Sequence, residues 1–272
     1  MARRRKRKSG GSVGLVILGT LVLLLCAGIL GGYLFLKTKA ESQVALDTTS
    51  LCPVDGPRAI TAILLDVTDP ISDATAIDLR NEFQAAVANI PIGGLLQVYA
   101  LTEQEGKLTR TFSGCNPGSG DSVDEWTSNP RLAQHRWERG FERPLSDLAG
   151  HISEGSSGRQ SPIMAGIQRI NLEAFGLPAY RGLPKTLIVA SDMIEHTSAF
   201  SMYGDGPSFK KFEASDARNK FRTPLEGVSV RVMEFQRPGM KFSAEDLAGF
   251  WNEWVGSNAG VMTSFKRLQG VM

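Results

Sequence analysis

Few of the residues that usually carry catalysis are present in this sequence. It has only three histidines, and their spacing matches no metal-ligand motif of the HExxH kind. The one Gly-x-Ser-x-Gly match, at residues 10–14, lies in the N-terminal segment, where no predicted strand precedes it as in a nucleophile turn, and a Walker-type phosphate loop is absent from the sequence. The sequence therefore gives no support to hydrolases of these kinds or to a nucleotide-driven machine.

Acidic residues are missing from the first 39 positions, which carry eight of the 30 lysines and arginines. The remaining 22 basic residues face all 28 acidic ones, so the body of the chain has a net charge of −6. Nucleic-acid binding needs clustered basic charge on a folded surface, and this balance argues against a nucleic-acid partner. With 42% hydrophobic and 21% charged residues, the chain should still fold around a core.

Only one long uncharged run occurs, the 24 residues from Val13 to Leu36. A helix of this length crosses a bilayer, whereas the apolar region of a cleaved signal peptide has about 7–15 residues. The basic cluster from Arg3 to Lys8 precedes the run and predicts a cytoplasmic N-terminus. We therefore expect a single-pass protein of the inner (cell) membrane, in contact with lipid along this run, whose main domain is periplasmic or extracellular.

The membrane segment also offers a dimer interface. Gly28 and Gly32 have the GxxxG spacing that lets two membrane helices approach closely. Glycine is common in membrane helices for other reasons, so a homodimer through this segment is one of two interpretations.

Cysteine is scarce, and its three copies fall in different environments. Cys26 lies inside the membrane segment, whereas Cys52 and Cys115 follow it. In an oxidising compartment these two can form a disulfide that closes a loop of about 60 residues. Two free thiols remain the alternative, because a sequence does not show the separation of the Cα atoms.

The chain divides into a basic tail (residues 1–12), the membrane segment (13–36), a polar linker (37–50) and one domain (51–272). In this domain, strand-like apolar runs alternate with amphipathic helices, which predicts a doubly wound, mostly parallel α/β sheet. Strands are predicted at residues 59–66, 95–101, 108–112, 186–191, 228–235 and 261–268, and helices at 73–90, 142–152, 162–175 and after Ser243. The last helix carries Trp251 and Trp254 on an apolar stripe, which predicts core packing. Residues 114–140 are rich in turn-forming residues and are predicted to be a long irregular excursion.

Two predicted strands end in acidic residues, Asp66 and Asp192, and a helix is predicted to start near Ser161 between them. Ligands of open parallel sheets bind outside the carboxyl ends of the strands, so we expect these loops to converge. Carboxylate and hydroxyl oxygens suit Mg²⁺, which uses few protein ligands. A purely structural explanation is also open. Ser161 would be the N-cap of a helix with Pro162 at its first position, and Asp66 and Asp192 would cap loops near helix N-termini, where negative charge is stabilising.

This pattern resembles the von Willebrand factor A-like domains. Their metal-ion-dependent adhesion site combines an Asp-x-Ser-x-Ser motif after the first strand, a Thr at the start of a middle helix and an Asp after the fourth strand. Here Asp66 matches the first Asp and Thr68 the first Ser, while Ser161 takes the place of the Thr and Asp192 that of the later Asp. The resemblance implies that these four residues hold Mg²⁺ and leave one metal position for an acidic residue of a partner.

One position departs from the motif: Pro70 stands where a hydroxyl is expected. Three interpretations follow from it. Either Asp69 or Ser72 compensates, or the site binds metal weakly, or the site is lost.

The resemblance implies a non-enzymatic, membrane-anchored module that binds another protein of the cell envelope. A metal-free structural tether in an envelope assembly is one alternative, because a fold does not dictate a function. A phosphohydrolase similar to the haloacid dehalogenases is another, with Asp66 as nucleophile, although Thr68 stands where the phosphatases of that family carry a second Asp. Glu195 and His196 could lie at the rim of the site, but a loop histidine usually faces solvent.

Overall fold

The computed structural model describes residues 11–41, 44–68, 71–125, 128–151, 158–235 and 240–268, which form one α/β series of elements. The strands are β1 (Ile60–Asp66), β2 (Leu95–Leu101), β3 (Leu108–Cys115), β4 (Lys185–Ser191), β5 (Val228–Phe235) and β6 (Val261–Leu268). The α-helices are α1 (Gly11–Glu41), α2 (Asp73–Ala88), α3 (Pro130–Trp137), α4 (Arg143–Gly150), α5 (Ile163–Ile170), α6 (Met202–Asp205), α7 (Phe209–Glu213), α8 (Ala217–Lys220) and α9 (Ala244–Ser257). Glu138–Glu142 and Asn171–Phe175 are π-helical, and Gly120–Ser122 and Pro178–Tyr180 are 3₁₀ turns.

The strands form a six-stranded sheet in the order β3-β2-β1-β4-β5-β6. β3 runs antiparallel to β2, and the other neighbouring strands are parallel. This order, with helices on both faces, is the doubly wound arrangement. The fold class predicted from the sequence is therefore confirmed.

Both faces of the sheet are covered at its centre, where β1 is buried along its whole length. Ile60, Ala62 and Leu64 pack into the core cluster that contains α5 and α9. Ile63 and Leu65 pack into the opposite cluster, with α2 and α4. A near-continuous apolar run is what a central parallel strand requires, which is why the sequence located β1 to within one residue.

The last helix, α9, begins with a reciprocal capping box. Ser243 Oγ accepts from the N–H of Asp246 (3.1 Å), and Asp246 Oδ2 accepts from the N–H of Ser243 (3.4 Å). Trp251 and Trp254 are buried against the sheet, as the helical spacing of the stripe predicts.

The predicted irregular excursion at residues 114–140 is wrong over its second half. Helical backbone runs from Pro130 through the π segment Glu138–Glu142 to Gly150. Asn129 caps this helix, since its Oδ1 accepts from the N–H of Leu132 (3.2 Å), and Pro130 occupies the first turn. Asn129 and Pro130 are turn-forming residues, and in this segment they mark the start of a helix. The short helices α6, α7 and α8 were likewise not predicted.

At the other end of the chain, α1 is long and apolar enough to span a membrane. Its candidate span, Gly14–Thr38, has a mean hydropathy of 2.6. Beyond α1, Leu46 pairs with Pro53, and a disulfide joins Cys52 to Cys115 at the end of β3. The linker therefore reaches the sheet at the edge where β1 and β2 begin, which we call the amino edge. The opposite edge, where β1 and β4 end, is the carboxyl edge.

Candidate functional site

Asp66, the last residue of β1, is buried and accepts hydrogen bonds on both carboxylate oxygens. Oδ1 accepts from the N–H of Thr68 (3.1 Å) and from Thr68 Oγ1 (2.5 Å). Oδ2 accepts from Ser161 Oγ (3.0 Å) and Ser191 Oγ (2.7 Å). Hydroxyls from three separate segments thus converge on one carboxylate. We call Asp66, Thr68, Ser161 and Ser191 the Asp66 cluster.

Long-range pairing brings these segments together. In the parallel register of β1 and β4, Leu65 lies opposite Ala190, so the next residues along, Asp66 and Ser191, are neighbours. Ser161 exchanges two backbone hydrogen bonds of 3.0 Å with His196, which fixes the segment before α5 against the loop after β4.

The alternative that Ser161 caps α5 is wrong. The helix starts at Ile163, and its N-cap residue is Pro162, whose side chain makes no capping hydrogen bond. The strand-like pairing of Ser161 with His196 turns its hydroxyl toward Asp66 instead.

Asp192 is buried in the turn directly after Ser191, and its Oδ1 accepts from the N–H of Ile194 (2.9 Å). Met193, the next residue, has φ 60°, a left-handed conformation that is uncommon for a residue with a side chain. Its N–H donates to Ser191 Oγ (2.9 Å), and its carbonyl accepts from Trp251 Nε1 (2.8 Å). The turn that carries Asp192 is thus held by the Asp66 cluster on one side and by α9 on the other.

The structure gives Ser72 a capping role. Ser72 Oγ accepts from the N–H of Thr75 (3.2 Å) at the start of α2 and lies 2.9 Å from Thr75 Oγ1. Asp69 and Pro70 lie outside the described residues, so compensation by Asp69 stays a prediction.

Ser161 is the least buried member of the cluster. Asp66 and Thr68 are each 3% exposed, whereas Ser161 is half-buried. Around it, the N–H of Gly158 donates to the carbonyl of Thr68 (2.6 Å), and that of Arg159 to Glu103 Oε2 (3.1 Å). A ligand would therefore approach the carboxylate from the Ser161 side.

Glu195 is a buried acid to which the sequence assigned no more than a place at the rim. It caps α5, because its Oε2 accepts from the N–H of Met164 (2.9 Å). Its Oε1 has no hydrogen-bond partner among the described residues. Burial raises the pKa of Glu195 to about 8, against the opposing backbone N–H groups of Met164 and Ile163. The signal in the sequence for a buried acid was that Glu195 follows Asp192 by three residues, with the apolar Met193 and Ile194 between them.

His196 is half-buried and does not simply face solvent. Its Nδ1 lies 2.8 Å from Ser201 Oγ, and its ring packs edge-on against Tyr203 with centroids 5.2 Å apart. Together with its backbone pairing to Ser161, these contacts make His196 part of the wall beside the Asp66 cluster.

The donor set can be tested against Mg²⁺. Within the residues described, no group of three or more His, Cys, Asp or Glu side chains could hold a metal ion. The Asp66 cluster offers one carboxylate and the hydroxyls of Thr68 and Ser161, which donate their protons to Asp66 and keep lone pairs for a cation. The third hydroxyl, of Ser191, also accepts from the N–H of Met193. All-oxygen ligands are those that Mg²⁺ prefers, so the residues present fit the ion.

The fold and the position of the cluster define a doubly wound α/β domain with its candidate site at the carboxyl edge. Solved structures similar to this chain are von Willebrand A domains. One is a von Willebrand factor type A protein from Catenulispora acidiphila, with 10% identity and a TM-score of 0.39, covering 77% of this chain and 39% of that one. Another is BatB from Bacteroides thetaiotaomicron, with 13% identity and a TM-score of 0.36, covering 78% and 91%.

A third is proximal thread matrix protein 1 from the mussel byssus, described with zinc in its MIDAS motif, with 15% identity, a TM-score of 0.38 and coverage of 79% and 42%. The chain thus spans less than half of two of these proteins. No protein-family model and none of the curated proteins matches the sequence. These similarities concern the fold, and function rests on the geometry of the site.

Proposed function

We propose that this chain is a membrane-anchored protein-binding module that engages a partner in the cell envelope at its carboxyl edge, with Mg²⁺ strengthening the contact. The observation that carries the proposal is the convergence of three hydroxyls on the carboxylate of Asp66. Carboxylate and hydroxyl oxygens drawn from three segments form the all-oxygen set that a hard cation prefers.

In this proposal Asp66, Thr68 and Ser161 hold the ion, and Asp192 adds a second negative charge from the adjoining turn. The ion supplies positive charge that attracts a carboxylate. Ser161, the half-buried member of the cluster, marks the side from which an acidic residue of the partner enters. The residues Ser191, Met193 and Trp251 position the turn without touching the partner.

The proposal places the domain outside the cytoplasm. The apolar span of α1 supports a membrane anchor, the basic residues before it favour a cytoplasmic N-terminus, and the Cys52–Cys115 disulfide fits an oxidising compartment such as the periplasm. The anchor also offers Gly28 and Gly32 for a homodimer, which stays a proposal.

The test is thermal unfolding of the oxidised full chain in detergent, first in chelator and then with Mg²⁺. A ligand at 100 times its dissociation constant adds about 2.7 kcal/mol to the native state, which should raise the Tm by several degrees. The Asp66→Ala variant should show no Mg²⁺-dependent shift. Asp55→Ala, which removes an exposed carboxylate in the turn after Pro53, is the control and should shift as the wild type does.

An unchanged Tm of the wild type at millimolar Mg²⁺ would reject the metal-dependent mechanism and leave the metal-free tether. An equal shift in Asp66→Ala would place the ion elsewhere. Turnover of a generic phosphomonoester, abolished by Asp66→Asn, would instead favour the phosphohydrolase and overturn the binding function.

A further inference from the structure

A second candidate site lies at the amino edge, remote from the Asp66 cluster. Two cavities of about 390 and 400 Å³ meet there at Ile92, Asn116 and Ser122. The first lies between α2 and the helical segment that ends in α4, and the second lies between the linker and the start of α3. Each has the volume of a ligand pocket. We call the two together the amino-edge groove.

The first cavity is lined mainly by apolar side chains, with Gln84, Glu142 and Ser146 among the polar ones. Phe83, Phe141 and Leu145 form its buried floor, Trp137 is half-buried at its side, and Ile92 is 54% exposed at its junction with the second cavity. Val44, which lines the second cavity together with Ile92, is also 43% exposed, so the groove carries more than one exposed large apolar side chain. Trp137 adds the amphipathic ring that is enriched where proteins meet the lipid headgroups.

The second cavity carries cationic groups. Arg58 and Arg136 line it, together with one acid, Asp124. Arg136 belongs to residues 130–143, which contain four arginines and two glutamates, in contrast to the acidic body of the chain. Arginine presents a planar set of donors that matches phosphate oxygens, so a phosphate group suits this end of the groove.

The linker brings the groove close to the membrane. Val44, which lines the second cavity, comes three residues after Glu41, the last residue of α1. Three residues span at most about 11 Å, so this wall of the groove stays near the end of the anchor. The Leu46–Pro53 pairing and the Cys52–Cys115 disulfide fix the wall, and Asn116 at the junction follows Cys115 directly.

We propose that the amino-edge groove binds an anionic phospholipid of the membrane that α1 enters, with an acyl chain in the apolar cavity and the phosphate at Arg58 and Arg136. An apolar cavity next to a cationic one matches the two chemistries of a phospholipid. An apolar segment of a partner protein would fill the first cavity but would leave the arginines unmatched. The proposal rests on the membrane anchor of the proposed function but not on its metal site, because the groove and the Asp66 cluster lie at opposite edges of the sheet.

The test uses the full chain in phosphatidylcholine nanodiscs that contain a phosphatidylglycerol probe with a diazirine on one acyl chain. After photolysis, mass spectrometry should locate the label in residues 83–92 and 137–146. Ile92→Glu places a charge at the junction of the cavities and should reduce this labelling by about tenfold, as should the Arg58→Gln/Arg136→Gln double variant. The same diazirine on phosphatidylcholine should label the groove less than the anionic probe does.

Leu172→Glu and Arg181→Gln are the matched controls, because both residues are exposed and neither lines the groove. They should label as the wild type does, and an unchanged Tm shows that Ile92→Glu still folds. Label confined to the peptides of α1, equal labelling of wild type and Ile92→Glu, or no preference for the anionic probe would each overturn the proposal. The first of these outcomes would favour an apolar protein segment as the occupant.

Discussion

At the scale of single residues, Glu195 departs furthest from ordinary solution behaviour. Burial raises its pKa to about 8, and repulsion from Glu105 and Asp66 acts in the same direction. The folded state therefore holds a proton that the unfolded chain loses above about pH 4.5. Because the native state binds the extra proton, this group makes the free energy of unfolding fall as pH rises from about 4.5 to about 8.

Glu195→Gln should remove this pH dependence, since the amide is neutral throughout. We expect its free energy of unfolding, measured by urea titration, to match that of the wild type near pH 5 and to exceed it increasingly toward pH 8.5, by a few kcal/mol at most. Glu253→Gln, on the exposed face of α9, is the control and should keep the wild-type slope. Parallel pH profiles for wild type and Glu195→Gln would contradict the prediction.

Two serines that donate to the same oxygen of Asp66 should differ in their contribution to stability. Ser191 is fully buried and also accepts from the N–H of Met193, whereas Ser161 is half-buried. Ser191→Ala leaves that N–H unpaired in the core and should cost about 1–3 kcal/mol. Ser161→Ala should cost less, because water can replace its hydroxyl. Chemical denaturation of both variants in chelator makes the comparison, and equal losses would count against it.

The residues of the cluster differ in how far the sequence could locate them. Asp66 and Thr68 follow directly from the end of an apolar strand, which is a local signal. The hydrogen bond from Ser191 to Asp66 depends on the register of β1 against β4. The orientation of Ser161 depends on its backbone pairing with His196, 35 residues away along the chain. Such pairings are long-range, and no local pattern encodes them.

At the scale of elements, the strands were predictable, whereas the helix that starts at Pro130 and the short helices α6 to α8 were not. Strands buried on both faces need apolar runs, which β1, β2 and β4 largely have, whereas β5 is marked by the alternation of Val228, Val230 and Val232. The helix from Pro130 to Gly150 has a polar N-terminal half, so its pattern lacks a wide apolar face. Asn129 followed by Pro130 was the usable signal for its start.

The capping box of α9 gives an element-scale prediction. Ser243→Ala removes the acceptor for the N–H of Asp246 and the partner of its carboxylate. Loss of such a cap costs about 1 kcal/mol, so the Tm should fall by about 2–4 °C. Ser198→Ala, in an exposed loop position, is the control and should leave the Tm unchanged. An equal fall in both variants would show that the cap has no special effect.

At the scale of the whole molecule, the disulfide joins the linker to the sheet. Cys52 and Cys115 are 63 residues apart, and a cross-link of that length stabilises by about 4 kcal/mol in the chain-entropy model. The Cys52→Ser/Cys115→Ser variant should lose stability of this order in denaturant titrations of the full chain.

The same double variant separates the two edges of the sheet. Labelling of the amino-edge groove by the lipid probe should fall, because the linker forms one wall of the groove. A Mg²⁺-dependent shift in Tm should persist, since the Asp66 cluster lies at the other edge. Loss of both responses together would mean that the disulfide supports the entire fold.

The central place of β1 has a mechanical consequence. From Cys52, which is bonded to Cys115 at the end of β3, the chain continues to the start of β1 at Ile60, and the Asp66 cluster lies at the far end of that strand. Tension between the membrane and a partner held at Asp66 would pull β1 along its own axis, while β2 and β4 are hydrogen-bonded to it on both sides. In this shear geometry the bonds of two ladders share the load and must break together. A load applied along β1 would therefore be resisted by the hydrogen bonds on both of its sides at once.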